Sequence, residues 1–207
     1  GQTAINLAEP LMKRGVTIIG TDVAAIEKAE NRDSFEHIMT QLGIPQPKGQ
    51  AVTNIEAGVK AAAEIGYPVL VRPSYVLGGQ NMIIAFDDDD IKEYMEIILR
   101  QEIENPILID KYLMGIELEI DAICDGEDIL IPGIMEHIER AGIHSGDSIA
   151  VYPAWNITDE IIEKIIDQSR RMALKMDTLG LVNIQYLIYD NDLYVIEETP
   201  RSSRTVP

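Results

Sequence analysis

Oxygen-bearing and guanidinium side chains are concentrated near the end of this chain. Gln185 lies within one apolar segment, and Glu197, Thr199 and Arg201 lie within and directly after a second one. Carboxylate, amide and hydroxyl oxygens are ligands for hard divalent cations, whereas guanidinium groups pair with phosphate oxygens. The combination predicts a site for a metal-bound polyphosphate. From these residues alone, an ordinary charged strand end in solvent is the alternative interpretation.

The two adjacent glutamates of the second segment are expected to have different environments. A regular strand places Val195, Glu197 and Thr199 on one face, because successive side chains point to opposite faces. Ile196 and Glu198 then share the other face. We therefore expect that at most one of the two glutamates reaches a common metal.

A glycine-containing loop is a second candidate for phosphate binding. A predicted buried strand delivers Arg72, and the loop that follows, residues 74–80, contains Gly78 and Gly79. Glycines let backbone N–H groups approach phosphate oxygens without obstruction by a side chain. The loop matches neither the Walker pattern nor G-x-G-x-x-G. A plain hairpin connection is the alternative.

Residues 134–148 form a third polar segment, with two histidines and short polar groups. His144 and Ser145 can donate hydrogen bonds to anionic oxygens. His137 fits a structural role as well as a functional one. Neither a cysteine nor a third histidine is at hand for a zinc site.

The composition limits the partners of the chain. The net charge of −18 argues against nucleic acid and against anionic membrane surfaces. Bound cations and a few basic groups would have to overcome this charge locally if the substrate is an anion. A single cysteine excludes an internal disulfide and fits a reducing compartment, and no signal-like start is present. We therefore expect a cytoplasmic protein and, since the chain does not start with Met, a piece of a larger one.

The patterns that must position these groups predict an α+β fold. The early elements alternate between strand and helix, whereas the later ones are long alternating strands, which disfavours a doubly wound parallel sheet. Residues 87–90, four acids, fit a helix N-terminus. Residues 190–192 have the composition of a tight hairpin turn. Helices are predicted at 2–14, 23–30, 32–42, 54–65, 88–100 and 159–176, and strands at 16–20, 68–71, 82–86, 107–110, 117–124, 129–139, 181–189 and from 193.

Taken together, these segments resemble an ATP-grasp domain of the carbamoyl phosphate synthetase large subunit. Residues 74–79 and 133–139 in particular are similar to its second, carbamate-phosphorylating half. The matching stretches as a whole are residues 1–3, 18–21, 71–79, 121–126, 134–148, 183–185 and 200–207.

The resemblance implies a two-lobed ATP-grasp fold with the nucleotide between the lobes. Residues 1–30 would be a remnant of the preceding α/β domain. Residues 31–113 would form the small lobe with the phosphate loop, and residues 114–207 the large lobe with the metal site.

The resemblance also implies roles for individual residues in nucleotide binding. Arg72 would contact phosphate, and Gly78 and Gly79 would lie in the loop that closes over it. The backbone near Lys111 and the side chain of Leu113 would line the adenine pocket. The remaining nucleotide contacts would come from Glu117 at the ribose and from Gly142, Ile143, His144 and Ser145 beside the nucleotide and the substrate.

The metal and catalytic roles implied by the resemblance fall on the residues considered first. Gln185 and Glu197 would hold Mg²⁺ or Mn²⁺, with Thr199 in the third ligand position. Arg201, assisted by Arg204, would stabilise the transferring phosphoryl group, and His144 would be the other catalytic residue.

The implied reaction is phosphorylation of carbamate by ATP to give carbamoyl phosphate, in arginine and pyrimidine biosynthesis. The implied partners are a small glutamine amidotransferase subunit and the rest of the large subunit. Catalysis would consist of positioning and charge neutralisation.

The chain departs from the family pattern at two positions. Thr199 stands where the family normally has Asn, and a hydroxyl is a poorer magnesium ligand than an amide carbonyl. Ser34 stands where a basic residue is usual, and we expect Lys111 to offset that loss in part. A nucleotide-binding module without turnover is therefore an alternative. Another ATP-grasp carboxylate ligase is a third interpretation, against which residues 137–148 argue.

Overall fold

The computed structural model describes residues 2–73, 82–99, 106–139, 141–142, 148–201 and 203. These residues divide into two compact units. The first unit contains the described residues of Gly1–Gln46, Gly115–Glu139 and Ser148–Pro207, and the second contains those of Pro47–Met114 and Arg140–Asp147. Each unit has its own sheet and its own apolar core.

Helices and strands are numbered here in chain order. The helices are α1 (Gln2–Met12), α2 (Val23–Glu30), α3 (Arg32–Leu42), α4 (Ile55–Ile65), α5 (Asp88–Leu99) and α6 (Asp159–Lys175). The strands are β1 (Gly49–Val52), β2 (Val69–Pro73), β3 (Ile83–Ala85), β4 (Ile107–Lys111), β5 (Ile116–Cys124), β6 (Ile129–Leu130), β7 (Met135–His137), β8 (Ala150–Val151), β9 (Gly180–Tyr189) and β10 (Asp192–Thr199).

Both sheets are antiparallel in all of their described pairings. The first unit has the strand order β10-β9-β5-β7-β8, with β6 paired to β5, and the second has the order β1-β4-β2-β3. The α+β prediction is therefore confirmed over the parallel alternative, because neighbouring parallel strands need crossover connections.

Side-chain caps account for the accuracy of the predicted helix starts. Each cap accepts a hydrogen bond from a backbone N–H in the first turn, which would otherwise have no partner. Gly43 ends α3 in the left-handed conformation, with φ of 65°. The caps are Asp22, Asn31, Asn54 and Thr158. Asp87 acts similarly at α5, where its carboxylate accepts from the N–H groups of Asp89 and Asp90.

The predicted strand at residues 16–20 is wrong. These residues form no strand, and Ile19 is 93% exposed. An extended segment needs a neighbour for its backbone groups, and none of the strands in the described residues pairs with this one. Apolar composition alone therefore misled the prediction.

The predicted continuous strand at residues 129–139 is also wrong. It is divided into β6 and β7, which pair with opposite ends of β5 and differ by one residue in register. Pro132 lies in the gap and has no N–H to donate to a ladder. The short strands β1 and β8 were not predicted.

The domain boundaries predicted after residues 30 and 113 remain predictions. By its contacts, α3 belongs to the first unit, since Phe35, Ile38 and Met39 are buried in the core of that unit.

Candidate functional site

The central strand of the first unit carries acids on one face and apolar side chains on the other. Leu118, Ile120 and Ala122 of β5 are buried in the core, together with residues of α3 and α6. Acids alternate with them and therefore project from the opposite face. These acids are Glu117, Glu119 and Asp121.

The register of the sheet extends this polar surface over three neighbouring strands. Gln185 of β9 pairs with Glu119 on one side and with Glu197 on the other. Asn183 pairs in the same way with Asp121 and Thr199. Directly paired residues of an antiparallel sheet lie side by side on one face. We call this surface, together with His137 of the neighbouring strand β7, the polar face, and it comprises Glu117, Glu119, Asp121, His137, Asn183, Gln185, Glu197 and Thr199.

A β-bulge in β10 changes the predicted alternation. The pairing shifts between Val195 and Glu197, so that Ile196 is the extra residue. Val195 and Glu198 are consequently both buried on the face of the sheet that packs against the apolar core, and Glu197 is exposed on the polar face. The prediction that Val195 and Glu197 share a face is therefore wrong, whereas the separation of Glu197 from Glu198 is confirmed.

A buried ion pair lies at the β7 edge of the polar face. The Nε2 atom of His137 lies 3.1 Å from Oε2 of Glu119, and its Nδ1 lies 3.7 Å from Oε2 of Glu117. The hydrogen bond with Glu119 raises the pKa of His137, and the charges of Glu119, Glu117 and Glu139 raise it further, against the effect of burial. The geometry therefore favours the imidazolium form, which offsets part of the acid on this face.

The centre of the polar face is organised by the amide of Asn183. Its Nδ2 atom lies 2.7 Å from Oε1 of Glu119 and 2.7 Å from Oδ1 of Asp121, and 3.1 Å from the carbonyl oxygen of Ile120. Both carboxylates are thus held by one donor group. Glu119, Asp121 and Asn183 are 0%, 9% and 3% exposed, so this network is part of the interior of the first unit.

The segment after β10 is attached to the same network. The N–H of Ser203 lies 3.1 Å from each oxygen of the Asp121 carboxylate, and its hydroxyl donates to Oδ2 at 3.1 Å. Arg201, two residues earlier, donates its backbone N–H to the carbonyl oxygen of Thr199 at 2.7 Å.

Sequence reasoning missed Glu119, Asp121, Asn183 and Ser203 as site residues. The signal for the first two was present, because Glu117, Glu119 and Asp121 alternate with apolar residues along a predicted strand. Only the pairing of β5 with β9 shows that Asn183 joins them.

The second unit contains the predicted phosphate and adenine residues. Arg72 of β2 is half-buried, and its Nε donates to Oδ2 of Asp110 on the neighbouring strand β4 at 3.2 Å. The ammonium of Lys111 donates to the carbonyl oxygens of Gly66 and Tyr67 at 2.8 and 3.0 Å. Lys111 therefore stabilises the connection between α4 and β2.

Leu113 and Gly142 also lie in the second unit. Leu113 is buried, and the hydroxyl of Tyr112 donates to the carbonyl oxygen of Ala141 at 2.8 Å. Gly142 has φ of 91°, and a Cβ there would lie 3.2 Å from the Tyr112 ring, so a glycine is required. The remaining predicted site residues lie outside the described residues: Gly78, Gly79, Ile143, His144, Ser145 and Arg204.

The three predicted metal ligands share the polar face, with Gln185 directly opposite Glu197. Within the described residues, no group of three or more His, Cys, Asp and Glu side chains could hold a metal. The predicted set contains only one such residue, Glu197, and adds an amide and a hydroxyl. All three offer oxygen, which is the donor that Mg²⁺ prefers, so the chemistry of the set fits this ion.

No helix in the part of the chain that the structure describes has the length and apolar character needed to span a bilayer.

The two antiparallel sheets and their arrangement along the chain are those of ATP-grasp proteins. A biotin carboxylase from Campylobacter jejuni, in complex with β-γ-ATP, is similar with a TM-score of 0.82 at 22% identity, over 97% of this chain and 46% of that one. The biotin carboxylase domain of Hydrogenobacter thermophilus 2-oxoglutarate carboxylase, in complex with MgADP, ADP and bicarbonate, gives 0.83 at 20% identity, over 97% and 46%. At this identity the likeness shows the fold alone.

The sequence comparisons are more specific. The chain belongs to the family described as carbamoyl-phosphate synthase L chain, ATP binding domain, whose model matches residues 31–207. It is 58% identical over all of its 207 residues to the carbamoyl phosphate synthase large chain of Lachnoclostridium phytofermentans. The chain spans 19% of the length of that relative.

Proposed function

We propose that this chain binds ATP and phosphorylates carbamate as one domain of a carbamoyl phosphate synthase large chain. An oxygen of carbamate attacks the γ-phosphorus of ATP and forms a new O–P bond. The bond from the γ-phosphorus to the bridging oxygen breaks, and ADP leaves with its electron pair. The observation that carries the proposal is the polar face, where Gln185 and Glu197 pair directly within a chain of this family.

Gln185, Glu197 and Thr199 would hold Mg²⁺, with Mn²⁺ as the alternative ion. When bound, the metal neutralises the charge of the phosphate oxygens. This neutralisation is needed here because the chain has a net charge of −18 and the polar face contains four carboxylates besides its one histidine.

The polar face would need little reorganisation to receive the substrate. Glu119 and Asp121 are already held by Asn183, and Glu197 lies at the exposed end of the face. His137, as imidazolium, would keep Glu117 and Glu119 from adding an uncompensated negative charge near the nucleotide. Preorganised charges of this kind stabilise a transition state without moving during the reaction.

The remaining roles follow the family pattern. Arg72 would contact phosphate, Leu113 and the backbone at Lys111 would contact adenine, and Glu117 would accept the ribose hydroxyls. Arg201 would stabilise the transferring phosphoryl group. The other proposed contacts are those of His144, as a catalytic residue, and of Gly78, Gly79, Gly142, Ile143 and Ser145 with the nucleotide.

The proposed partners are those of a large chain. They are the rest of that chain, which would supply carbamate, and a small glutamine amidotransferase subunit. The proposed setting is the cytoplasm, in the formation of carbamoyl phosphate for arginine and pyrimidine biosynthesis.

The reverse reaction tests the proposal. The full-length protein that carries this sequence, with Mg²⁺, is expected to form ATP from ADP and carbamoyl phosphate, measured by a coupled luciferase assay. Omission of Mg²⁺ should abolish the signal. If no ATP forms from carbamoyl phosphate, while ATP is consumed with another carboxylic acid to give an acyl phosphate, the proposal is wrong and the general ligase interpretation is favoured.

A nucleotide-binding module without turnover is a second candidate, favoured by Thr199 and Ser34. Lys111 is a poor substitute for a positively charged side chain at position 34, because its ammonium group donates hydrogen bonds to two carbonyl oxygens. If the chain is active but limited by these residues, T199N combined with S34R is expected to raise the rate of ATP formation several-fold. If the unmodified chain already forms ATP from ADP and carbamoyl phosphate at a rate comparable to that of the double variant, the impaired module is excluded.

A further inference from the structure

Arg201 lies between two fixed points of the backbone. Before it, the carbonyl oxygen of Thr199 accepts its N–H at 2.7 Å. After it, Ser203 contacts the Asp121 carboxylate through both its N–H and its hydroxyl, at 3.1 Å. Arg201 is therefore bonded through its own backbone to Thr199, and the chain is anchored again at Ser203.

Asp121 is itself rigidly held. It lies in the middle of β5, is 9% exposed and accepts from Nδ2 of Asn183 on the paired strand β9 at 2.7 Å. The anchor of Ser203 thus belongs to the central pair of the sheet. Both of its carboxylate oxygens have protein donors, so Asp121 is occupied by protein contacts on its own face.

We propose that Asp121 is a positioning residue for phosphoryl transfer, which holds Arg201 in place through Ser203. The inference rests on the role of Arg201 under Proposed function. A carboxylate that accepts from a backbone N–H and a hydroxyl forms charge-assisted hydrogen bonds, which are stronger than neutral ones. A guanidinium must be held to within a fraction of an ångström to stabilise a transferring group, and such placement depends on the residues behind it.

A double-mutant cycle tests this inference in the full-length protein, with ADP and carbamoyl phosphate as substrates. D121N keeps the shape of the side chain and replaces one acceptor oxygen by a donor. We expect kcat for ATP formation to fall by about 10- to 100-fold, with the KM for ADP within about twofold, because Arg201 acts on the transition state. In an R201A background, the further effect of D121N on kcat should be less than about twofold.

The controls separate positioning from folding. D192N replaces an exposed acid at the start of β10 and should leave kcat within about twofold of the wild-type value. S203A removes only the hydroxyl contact, should lower kcat less than D121N does, and should also lose its effect in the R201A background. S203T, which keeps a hydroxyl, should restore most of the rate. S203A carries the test if D121N does not fold.

The outcomes are distinguishable. Suppose that R201A lowers kcat, and that D121N or S203A lowers kcat by the same factor in the R201A background as in the wild-type background. Asp121 then acts independently of Arg201 and the inference is wrong. If R201A itself leaves kcat unchanged, the proposed role of Arg201 fails and the inference fails with it. A change in the KM for ADP as large as that in kcat would indicate a general structural role instead.

Discussion

The variant E197Q is expected to lower the rate of ATP formation from ADP and carbamoyl phosphate by about 100-fold or more. Glutamine keeps the size of the side chain and one carbonyl oxygen but removes the negative charge that faces Gln185. A metal-bound phosphoryl group gains several kcal/mol from such charge stabilisation, and each 1.36 kcal/mol corresponds to about tenfold in rate. Initial rates at saturating Mg²⁺ measure the effect.

The concentration of Mg²⁺ separates the causes of this loss. If Glu197 is a ligand, the Mg²⁺ concentration that gives half-maximal rate should rise in E197Q and stay at the wild-type value in D192N, a matched change at the other end of β10. A rate within twofold of wild type at all Mg²⁺ concentrations would show that Glu197 holds no metal.

The variant E198Q is expected to stabilise the chain at neutral and alkaline pH. Glu198 is 3% exposed on the core side of β10, and burial raises its pKa to about 7, although the hydroxyl of Thr178 donates to it at 2.8 Å. The folded state therefore holds this proton up to a higher pH than the unfolded state does. Consequently, the free energy of unfolding falls as pH rises from about 4.5 to about 7.

Above pH 7 the charged Glu198 lowers stability by an amount on the order of 3 kcal/mol, because burial disfavours the charged form of the carboxyl group. The uncharged glutamine avoids this cost and keeps an oxygen for Thr178. Thermal unfolding at pH 6 and pH 8.5 should therefore show E198Q gaining more over wild type at the higher pH. E163Q, an exposed change on α6, is the control. Equal gains at both pH values would contradict the buried charge.

Local signals predicted most elements of the fold. Asn31 and Gly43 bracket α3, and Asp190 and Asn191 adopt the positive φ values, 52° and 64°, that the hairpin turn requires. These signals are contained in a few adjacent residues. The failures at residues 16–20 and 129–139 arose where strand formation depended on a partner or on a single interrupting proline.

The candidate site was predictable only in part, for a similar reason. Gln185 and Glu197 are joined by a short hairpin, so their proximity follows from the sequence, whereas their direct pairing depends on the bulge at Ile196. Asp121 and Ser203 are separated by 82 positions, and their contact depends on the order of strands in the sheet. The order of the strands in the sheet cannot be predicted from the spacing of residues within one segment.

The bulge at Ile196 decides which of two adjacent glutamates is available for chemistry. In a regular strand, with Val195 kept opposite Tyr186, Ile196 would face Gln185, Glu197 would be buried opposite Ile184, and Glu198 would lie on the polar face opposite Asn183. The extra residue reverses this assignment of the two glutamates, so the effect of shortening β10 by one residue depends on which residue is removed. Deletion of Ile196 would remove the bulge and leave both glutamates on their present faces, whereas deletion of Glu197 would place Ile196 on the polar face in its stead. A bulge of this kind therefore determines which side chains lie on the polar face.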